Sequence, residues 1–418
     1  MTRRYALGDL VAAETRFDGS EVHYAYNTAG RLARMAYPGG ELALGYDADG
    51  LPTVVSDGAS AVSNGWDAAT GGLVKTRGAD GTEVGYRYRN DGAVTSVVSV
   101  AGVKSLDLDP YGRWTRVESA AGTAVFGYSD WNGLAAAVTN GATVAEYAYD
   151  RMDRVTNVAW RTVGGESLGG IAYEYDALGR ITARSLVLGD ESFDRAYGYD
   201  AADRLAAWTG GSYAHDAAGC VTRIVRGGVV MDLAWDGLRR LVSVSTNGVV
   251  AESYRYDALG RRTATVNAEG TERHVWDGDH CLADVDEEGN VLRAYLWGPG
   301  VDNLLAVRVG GRNYAALTDI QGTVWGYADE RGETVARWTY DAWGNVLSEE
   351  IAPLVKLRCP ARCPCGKNLM PIRKFSNEHQ KIGLWALEFA PSAGDFVPSP
   401  RWRQGTSSMF SKIEHKYV

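Results

Sequence analysis

A Tyr-x-Tyr-Asp-x-x-Gly-Arg frame returns about every twenty residues from near residue 24 to residue 345, and a beat of that length held over most of a chain is the signature of a repeat architecture. The register is read directly at Tyr24-x-Tyr26-Asn27, Leu44-x-Tyr46-Asp47, Trp66-Asp67, Tyr86-x-Tyr88-Arg89, Leu106-x-Leu108-Asp109, Phe126-x-Tyr128-Ser129, Tyr147-x-Tyr149-Asp150 and Tyr173-x-Tyr175-Asp176. It continues through Tyr197-x-Tyr199-Asp200, His215-Asp216, Leu233-x-Trp235-Asp236 and Tyr254-x-Tyr256-Asp257.

Each unit reads as a pair of strands. In Thr82-Glu83-Val84-Gly85-Tyr86-Arg87-Tyr88, the residues Val84, Tyr86 and Tyr88 fall on one face and Glu83, Gly85 and Arg87 on the other, the period of a half-buried strand. A turn such as Asp47-Ala48-Asp49-Gly50 or Asp176-Ala177-Leu178-Gly179 follows, in which the carboxylate accepts a nearby backbone N–H and the glycine takes a positive φ without a Cβ clash. A basic residue often comes next, as at Arg31, Arg113, Arg180 and Arg261, and the returning strand ends in a hairpin-type turn such as Asp18-Gly19, Gly39-Gly40, Asp80-Gly81, Asn140-Gly141 or Glu269-Gly270. One repeat therefore encodes one β-hairpin. The expected fold is all-β: a spiralling ribbon of roughly fifteen antiparallel hairpins, each burying its aromatic face against its neighbours. A seven- or eight-bladed propeller is the competing architecture, but its blades need four strands per roughly forty residues, about twice the period seen here.

The composition supports a folded chain, with 51 Gly but only 11 Pro, and 23 Tyr and 13 Trp against 7 Phe. A formal charge of −9, with the basic residues spread along the turns, argues against a nucleic-acid partner. No apolar run approaches the ~18 residues of a membrane helix. Residues 1–30 lack a secretory-signal pattern, and the chain starts in mid-repeat, as if cut from a longer one. Cys220 and Cys281 are isolated, while Cys359, Cys363 and Cys365 crowd together, so a disulfide scaffold is not expected.

The repeated unit resembles the YD repeat of the Rhs and teneurin group, and residues 254–350 resemble that group's core segment. The resemblance rests on Tyr256-Asp257-Ala258-Leu259-Gly260-Arg261-Arg262, Val275-Trp276-Asp277-Gly278 and Leu296-Trp297-Gly298-Pro299-Gly300. It is continued by Leu317-Thr318-Asp319-Ile320-Gln321-Gly322-Thr323-Val324 and Trp338-Thr339-Tyr340-Asp341-Ala342-Trp343-Gly344-Asn345-Val346. The organisation read from it is YD repeats over 1–253, the core segment over 254–350 and a degenerate tail over 351–418, disordered or frame-shifted.

The resemblance implies a β-shell (a cocoon wall) that in bacterial members encloses a C-terminal toxin and in others forms an extracellular adhesion scaffold. The expected function is that of a structural shell fragment of a polymorphic-toxin system, secreted or at the cell surface. Its expected partners are a toxin domain or a companion shell chain. The alternative is a repeat module that binds a cell-surface glycan or protein. Bacterial members close the core with two Asp-Pro pairs whose aspartates cut the chain. The matching positions here read Ala390-Pro391 and Ser399-Pro400, within a segment that includes Pro371-Ile372-Arg373-Lys374-Phe375, Gly383-Leu384-Trp385 and Gly394-Asp395-Phe396. Aspartyl-type cleavage needs two carboxylates sharing a proton, so no catalytic residue, cofactor or metal ligand is assigned.

Several local motifs carry a chemical reading beside a plain one. Gly165-Glu166-Ser167-Leu168-Gly169 fits Gly-x-Ser-x-Gly, but lies where a hairpin turn is expected. Asp284-Val285-Asp286-Glu287-Glu288-Gly289-Asn290 begins like a calcium loop, yet Tyr295 stands where the closing glutamate belongs, and a solvated acidic turn is the better account. Cys359, Cys363 and Cys365 with His379 offer thiolates and an imidazole to zinc without the usual spacing, or are incidental thiols. The Tyr-x-Tyr stripe can stack sugars or form a core and cross-strand ladder, and the ladder is expected. The turn arginines are expected to pair with the aspartate of their own or a neighbouring turn. The six histidines, at 23, 215, 274, 280, 379 and 415, form no cluster. Because both Asp-Pro aspartates are replaced, the expressed chain is expected to run as a single unprocessed band on a denaturing gel. Two fragments meeting near residue 390 or 400 would show self-cleavage.

Overall fold

Alternation makes the strands. In Glu21–Tyr26, Val22 and Tyr24 are buried while Glu21, His23 and Ala25 face out, and the strand pairs antiparallel with Leu32–Tyr37 so that Tyr24 lies opposite Met35. The computed structural model describes residues 2–351, apart from 7, 17, 189–190, 197, 200–204, 208–211, 217–219, 227, 301 and 341–345. Over these residues the fold is all-β, with 35 strands. Each strand pairs with the next along the chain, as in Glu83–Tyr88 with Val94–Ser99 and then Gly102–Leu108. The hairpins thus form one meander in two large sheets, of 19 and 14 strands, with the pair Gly198–Tyr199 and Leu205–Ala207 between them. Among the described residues no propeller blades form. Among the described residues no helix is long and apolar enough to cross a membrane.

A bulge recurs at one place in the repeat, immediately before the last aromatic residue of the frame. Register shifts fall between Ala25 and Tyr26, Gly45 and Tyr46, Gly127 and Tyr128, Glu174 and Tyr175, and Arg255 and Tyr256. In the first of these, Tyr26 pairs with Leu32 and Ala25 with Arg34, so Ala33 is the extra residue. A bulge bends the strand and increases its right-handed twist. Repeated once per hairpin, it coils the ribbon.

The coil brings the second sheet over the first, and here the structure departs from the expectation that hairpins bury their aromatic faces only against neighbours. An antiparallel sheet with one apolar face needs a second layer to cover it. Val11, Val22, Leu32 and Leu42 pack around Ala258 and Leu259. Val84 and Val97 meet Val275, Leu282 and Val285, and Leu106, Val117 and Phe126 meet Leu296 and Leu305. Finally Val158, Trp160 and Ile171 share the largest cluster with Leu317, Trp325 and Trp338.

These contacts run in the same chain order in both layers. The sequence separation across the seam is 221 residues at Arg16 and Gly237, 191 at Tyr86 and Asp277, 165 at Asn140 and Leu305 and 135 at Arg184 and Asp319. A ribbon folded back on itself would match its layers in reverse order, so a same-order match means that the ribbon winds round. Late strands of the second layer are accordingly covered on both faces, whereas earlier ones such as Val229–Trp235 and Leu241–Thr246 are not. Val324–Ala328 is buried at every position, and His280–Val285 at all but its first.

Leu259 is seated on the first sheet at only 9% exposure. Leu259→Ala should lower unfolding stability by about 2–4 kcal/mol through lost burial and a residual cavity, measured by urea denaturation. A loss below about 0.5 kcal/mol would mean that this part of the seam does not bear on stability.

Candidate functional site

The repeated frame builds a clasp. At Asp176 one carboxylate oxygen accepts the N–H groups of Leu178 and Arg180, each at 2.9 Å, and the other accepts Arg180 Nε at 2.6 Å. The Arg180 backbone N–H, and then its guanidinium, hold the Asp176 carboxyl below its usual range despite some desolvation. The same arrangement recurs at Asp109 with Arg113, Asp150 with Arg154, Asp236 with Arg240 and Asp257 with Arg261. The turn arginines at these positions therefore pair within their own turn.

They also reach the next one. Arg154 Nη1 donates to the Asp176 carbonyl at 3.2 Å while its guanidinium lies 4.7 Å from the centre of the Tyr175 ring. The Tyr175 hydroxyl reaches back to donate to the Val155 carbonyl at 2.6 Å, one residue past that arginine. Arg113 and Tyr128, and Arg240 and Tyr256, repeat the stack. Where the frame carries tryptophan the indole N–H makes the same bond, from Trp66 to Pro52 and from Trp235 to Val221. The aromatic stripe is thus divided: its first residue is core, as at Tyr24, Tyr173 and Tyr254, and its second is a strut between repeats. Sequence reasoning missed the strut, although the fixed spacing between Gly-Arg and the next aromatic residue was its signal.

A second constellation lies on the seam between the sheets, and nothing in the sequence pointed to it. Lys104 Nζ pairs with Asp277 at 2.9 Å and the Tyr86 hydroxyl donates to the same carboxylate at 3.0 Å. Burial opposes ionisation of Asp277, but Lys104, together with His280 and the Tyr86 hydroxyl, outweighs it and holds the pKa below its ordinary value of 3.8. Further along, Arg184 lies 3.4 Å from Asp319 and stacks over Trp325, whose indole N–H donates to Asp319 at 3.1 Å. At the other end Arg16 donates to the Gly237 carbonyl at 2.7 Å, and Arg239 pairs with Asp18 at 3.4 Å.

The motifs singled out in the sequence fall as follows. Ser167 opens the strand Ser167–Tyr175 after a hairpin turn in which the Gly165 N–H donates to the Thr162 carbonyl, so Gly-x-Ser-x-Gly sits between two strands. Gly169 is required there for packing, since a Cβ would come within 2.3 Å of the Val187 carbonyl oxygen.

Asp284 is not a solvated turn residue: it is the penultimate residue of the strand His280–Val285, faces inward and is buried. One of its oxygens accepts His274 Nδ1–H at 2.6 Å, and the other accepts Arg293 Nε at 2.7 Å and the Tyr295 hydroxyl at 2.6 Å. His274, Cys281 and Asp284 have ligand atoms within 4.8 Å of one another. The carboxylate is nonetheless fully engaged, His274 Nε2 meets Thr265 at 2.9 Å, burial raises the Cys281 thiol pKa, and Arg293 supplies the cation. The group is a satisfied polar core. Asp286 takes the turn position and binds Asn290 through both oxygens. Cys359, Cys363, Cys365, His379, Ala390 and Ser399 lie outside the described residues, as does the Trp343-Gly344-Asn345 segment.

A turn-and-aromatic clasp repeated along a ribbon wound into two layers defines a YD-repeat β-shell. The Teneurin YD-shell family model matches residues 129–357, more than half of the sequence, and the chain belongs to that family. Among solved structures, it resembles TcdB2-TccC3 without its hypervariable C-terminal region, with a TM-score of 0.61 and 13% identity over 87% of this chain and 25% of that one. It also resembles a Photorhabdus luminescens Tc holotoxin pore carrying a TccC3 mutation, with a TM-score of 0.59 and 13% identity over 84% of this chain and 24% of that one. A third likeness is to TcdB2-TccC3-Cdc42, with a TM-score of 0.56 and 14% identity over 86% and 25%. The chain therefore spans about a quarter of the length of these solved chains. The comparison with curated proteins finds no match.

Asp277→Asn should cost about 3 kcal/mol by leaving Lys104 buried without its counter-charge. Because the folded-state pKa is depressed, the stabilisation from Asp277 is complete above the unfolded value near 3.8 and is lost as pH falls through the lower folded value. The substitution should accordingly flatten the stability profile below pH 4. Parallel profiles for the two proteins in acid urea titrations would contradict this.

Proposed function

We propose that this chain is a wall segment of a toxin-enclosing shell, completed by a companion shell chain and surrounding a toxin domain. The observation that carries this reading is the same-order stacking of two clasped sheets, which makes a continuous curved wall out of a repeat whose polar groups are spent on holding neighbouring turns together. The likeness to TcdB2-TccC3 chains about four times longer supports a wall that other chain completes. In this reading residues 1–253 supply wall repeats and 254–350 the core segment, followed by a degenerate tail over 351–418. The chain acts without catalysis or cofactor, and the assembled particle works outside the cell that makes it.

The test is purification of the full chain from its native source, followed by size analysis and electron microscopy. The expected result is a particle larger than one chain, with an internal void and a second YD-repeat polypeptide. A monodisperse monomer that acquires no partner and binds immobilised glycans instead would overturn the proposal.

A further inference from the structure

The third residue of the Asp-x-x-Gly turn varies along the chain in a way that the clasp does not explain. In one group of turns open to solvent it is small or polar, as at Ala29, Asp49, Ala69 and Asp91. At Leu238 and Leu259 it is a large apolar residue, and there the turn is covered: both pack against the apolar face formed by Val11, Val22, Leu32 and Leu42 of the first sheet. Polar contacts ring that seat, with Arg16 donating to the Gly237 carbonyl and Arg239 paired with Asp18. A large apolar tip in this fold is thus a plug for the apolar face of another YD-repeat sheet.

Four consecutive turns carry such plugs largely open to solvent, with only the Arg113 guanidinium over the Tyr111 ring. Tyr111 is 84% exposed, Trp131 68%, Met152 67% and Leu178 71%. Their turns are joined side by side: Arg113 donates to the Gly133 carbonyl, Asn132 to the Asp153 carboxylate, and Arg154 to the Asp176 carbonyl. Turns on one edge of a meander are two strands apart, about 10 Å, so the four tips make a row on the order of 30 Å long. Exposed Asp130 and Arg151 stand beside the tips, where charges could ring a second seat. Single exposed apolar residues are ordinary on a protein surface, whereas a contiguous row marks an interaction site.

We infer that Tyr111, Trp131, Met152 and Leu178 form a docking edge that seats on the apolar face of a YD-repeat sheet belonging to another shell chain, an inference that rests on the shell reading above. The occupant follows from the chain's own precedent, since the same turn position is already seated on such a face at Leu259. The fraction of the solved relatives that this chain spans, about a quarter, leaves such sheets to be supplied by the remainder of the shell. In a second copy of this chain the corresponding face is already occupied by Leu238 and Leu259.

The test places the photo-crosslinking residue p-benzoylphenylalanine singly at positions 131 and 178 of the full chain in its native source. Positions 49 and 91 serve as exposed controls and position 259 as the covered one. Irradiation should join positions 131 and 178 to peptides carrying the Tyr-x-Tyr-Asp repeat of another polypeptide. Position 259 should crosslink within the chain, to the strands between residues 11 and 62, and positions 49 and 91 should give neither product. The combined variant Tyr111→Ser, Trp131→Ser, Met152→Ser and Leu178→Ser should keep the parent's unfolding midpoint, because all four side chains are exposed, yet retain the companion on the order of 100-fold more weakly.

Crosslinks at 131 and 178 no stronger than at 49 and 91, crosslinks to peptides without the repeat, tip-to-tip crosslinks between two copies of this chain, or failure of the internal crosslink at 259 would each overturn the docking inference. If a companion co-purifies and the quadruple variant still retains it fully, the docking edge is wrong while the shell reading stands. If no companion co-purifies with the parent, the shell reading itself fails.

Discussion

The structure depends on one small closed circuit: a turn carboxylate that fixes its own arginine, an arginine that stacks on the next aromatic ring, and an aromatic donor that reaches back to the carbonyl just past that arginine. Each link is individually weak, because the turns are partly open to water and exposed ion pairs contribute little. Their effect comes from repetition. In a repeat protein the interface between neighbours is the unit of stability, and here the same three groups recur at Asp109, Arg113 and Tyr128, at Asp150, Arg154 and Tyr175, and at Asp236, Arg240 and Tyr256. The circuit engages the turn aspartates and arginines with one another, so in these turns they hold neighbouring hairpins together.

The circuit has a geometric consequence. For the last aromatic residue to turn toward the preceding repeat, the pairing slips by one residue immediately before it, and this bulge recurs at successive repeats. Bulges at a constant interval bend and twist the sheet in one sense, so the ribbon cannot stay flat and its later strands come over its earlier ones. Much of the apolar face that the hairpins leave open is then covered by the next layer. This accounts for the change from alternating burial in Glu21–Tyr26 to continuous burial in Val324–Ala328. Once layers meet, charges caught between them need partners, and Lys104 with Asp277 and Arg184 with Asp319 meet that need.

The strands, their turns and the pairing of arginine with the aspartate of its own turn were all legible in the sequence, because each depends on residues only a few positions apart. Tyr24 and Val22 read as inward by alternation alone, and they are buried. Asp284 was misread as part of a solvated acidic turn. Its neighbours Asp286, Glu287 and Glu288 do suggest one, but the residue lies within a strand and points inward to His274 and Arg293. The seam was invisible for a related reason: Lys104 looks like any strand lysine, and Asp277 like another member of the repeat.

By itself the sequence determined the period, the strand alternation, the turn chemistry and hence the class of fold, since all of these are written within a single repeat of about twenty residues. The tertiary structure decided which turn tips are covered, which face of each sheet is core, and which charges pair across layers. Those outcomes join residues 135 to 221 positions apart. They depend on the accumulated twist of many hairpins, a quantity that no single repeat encodes.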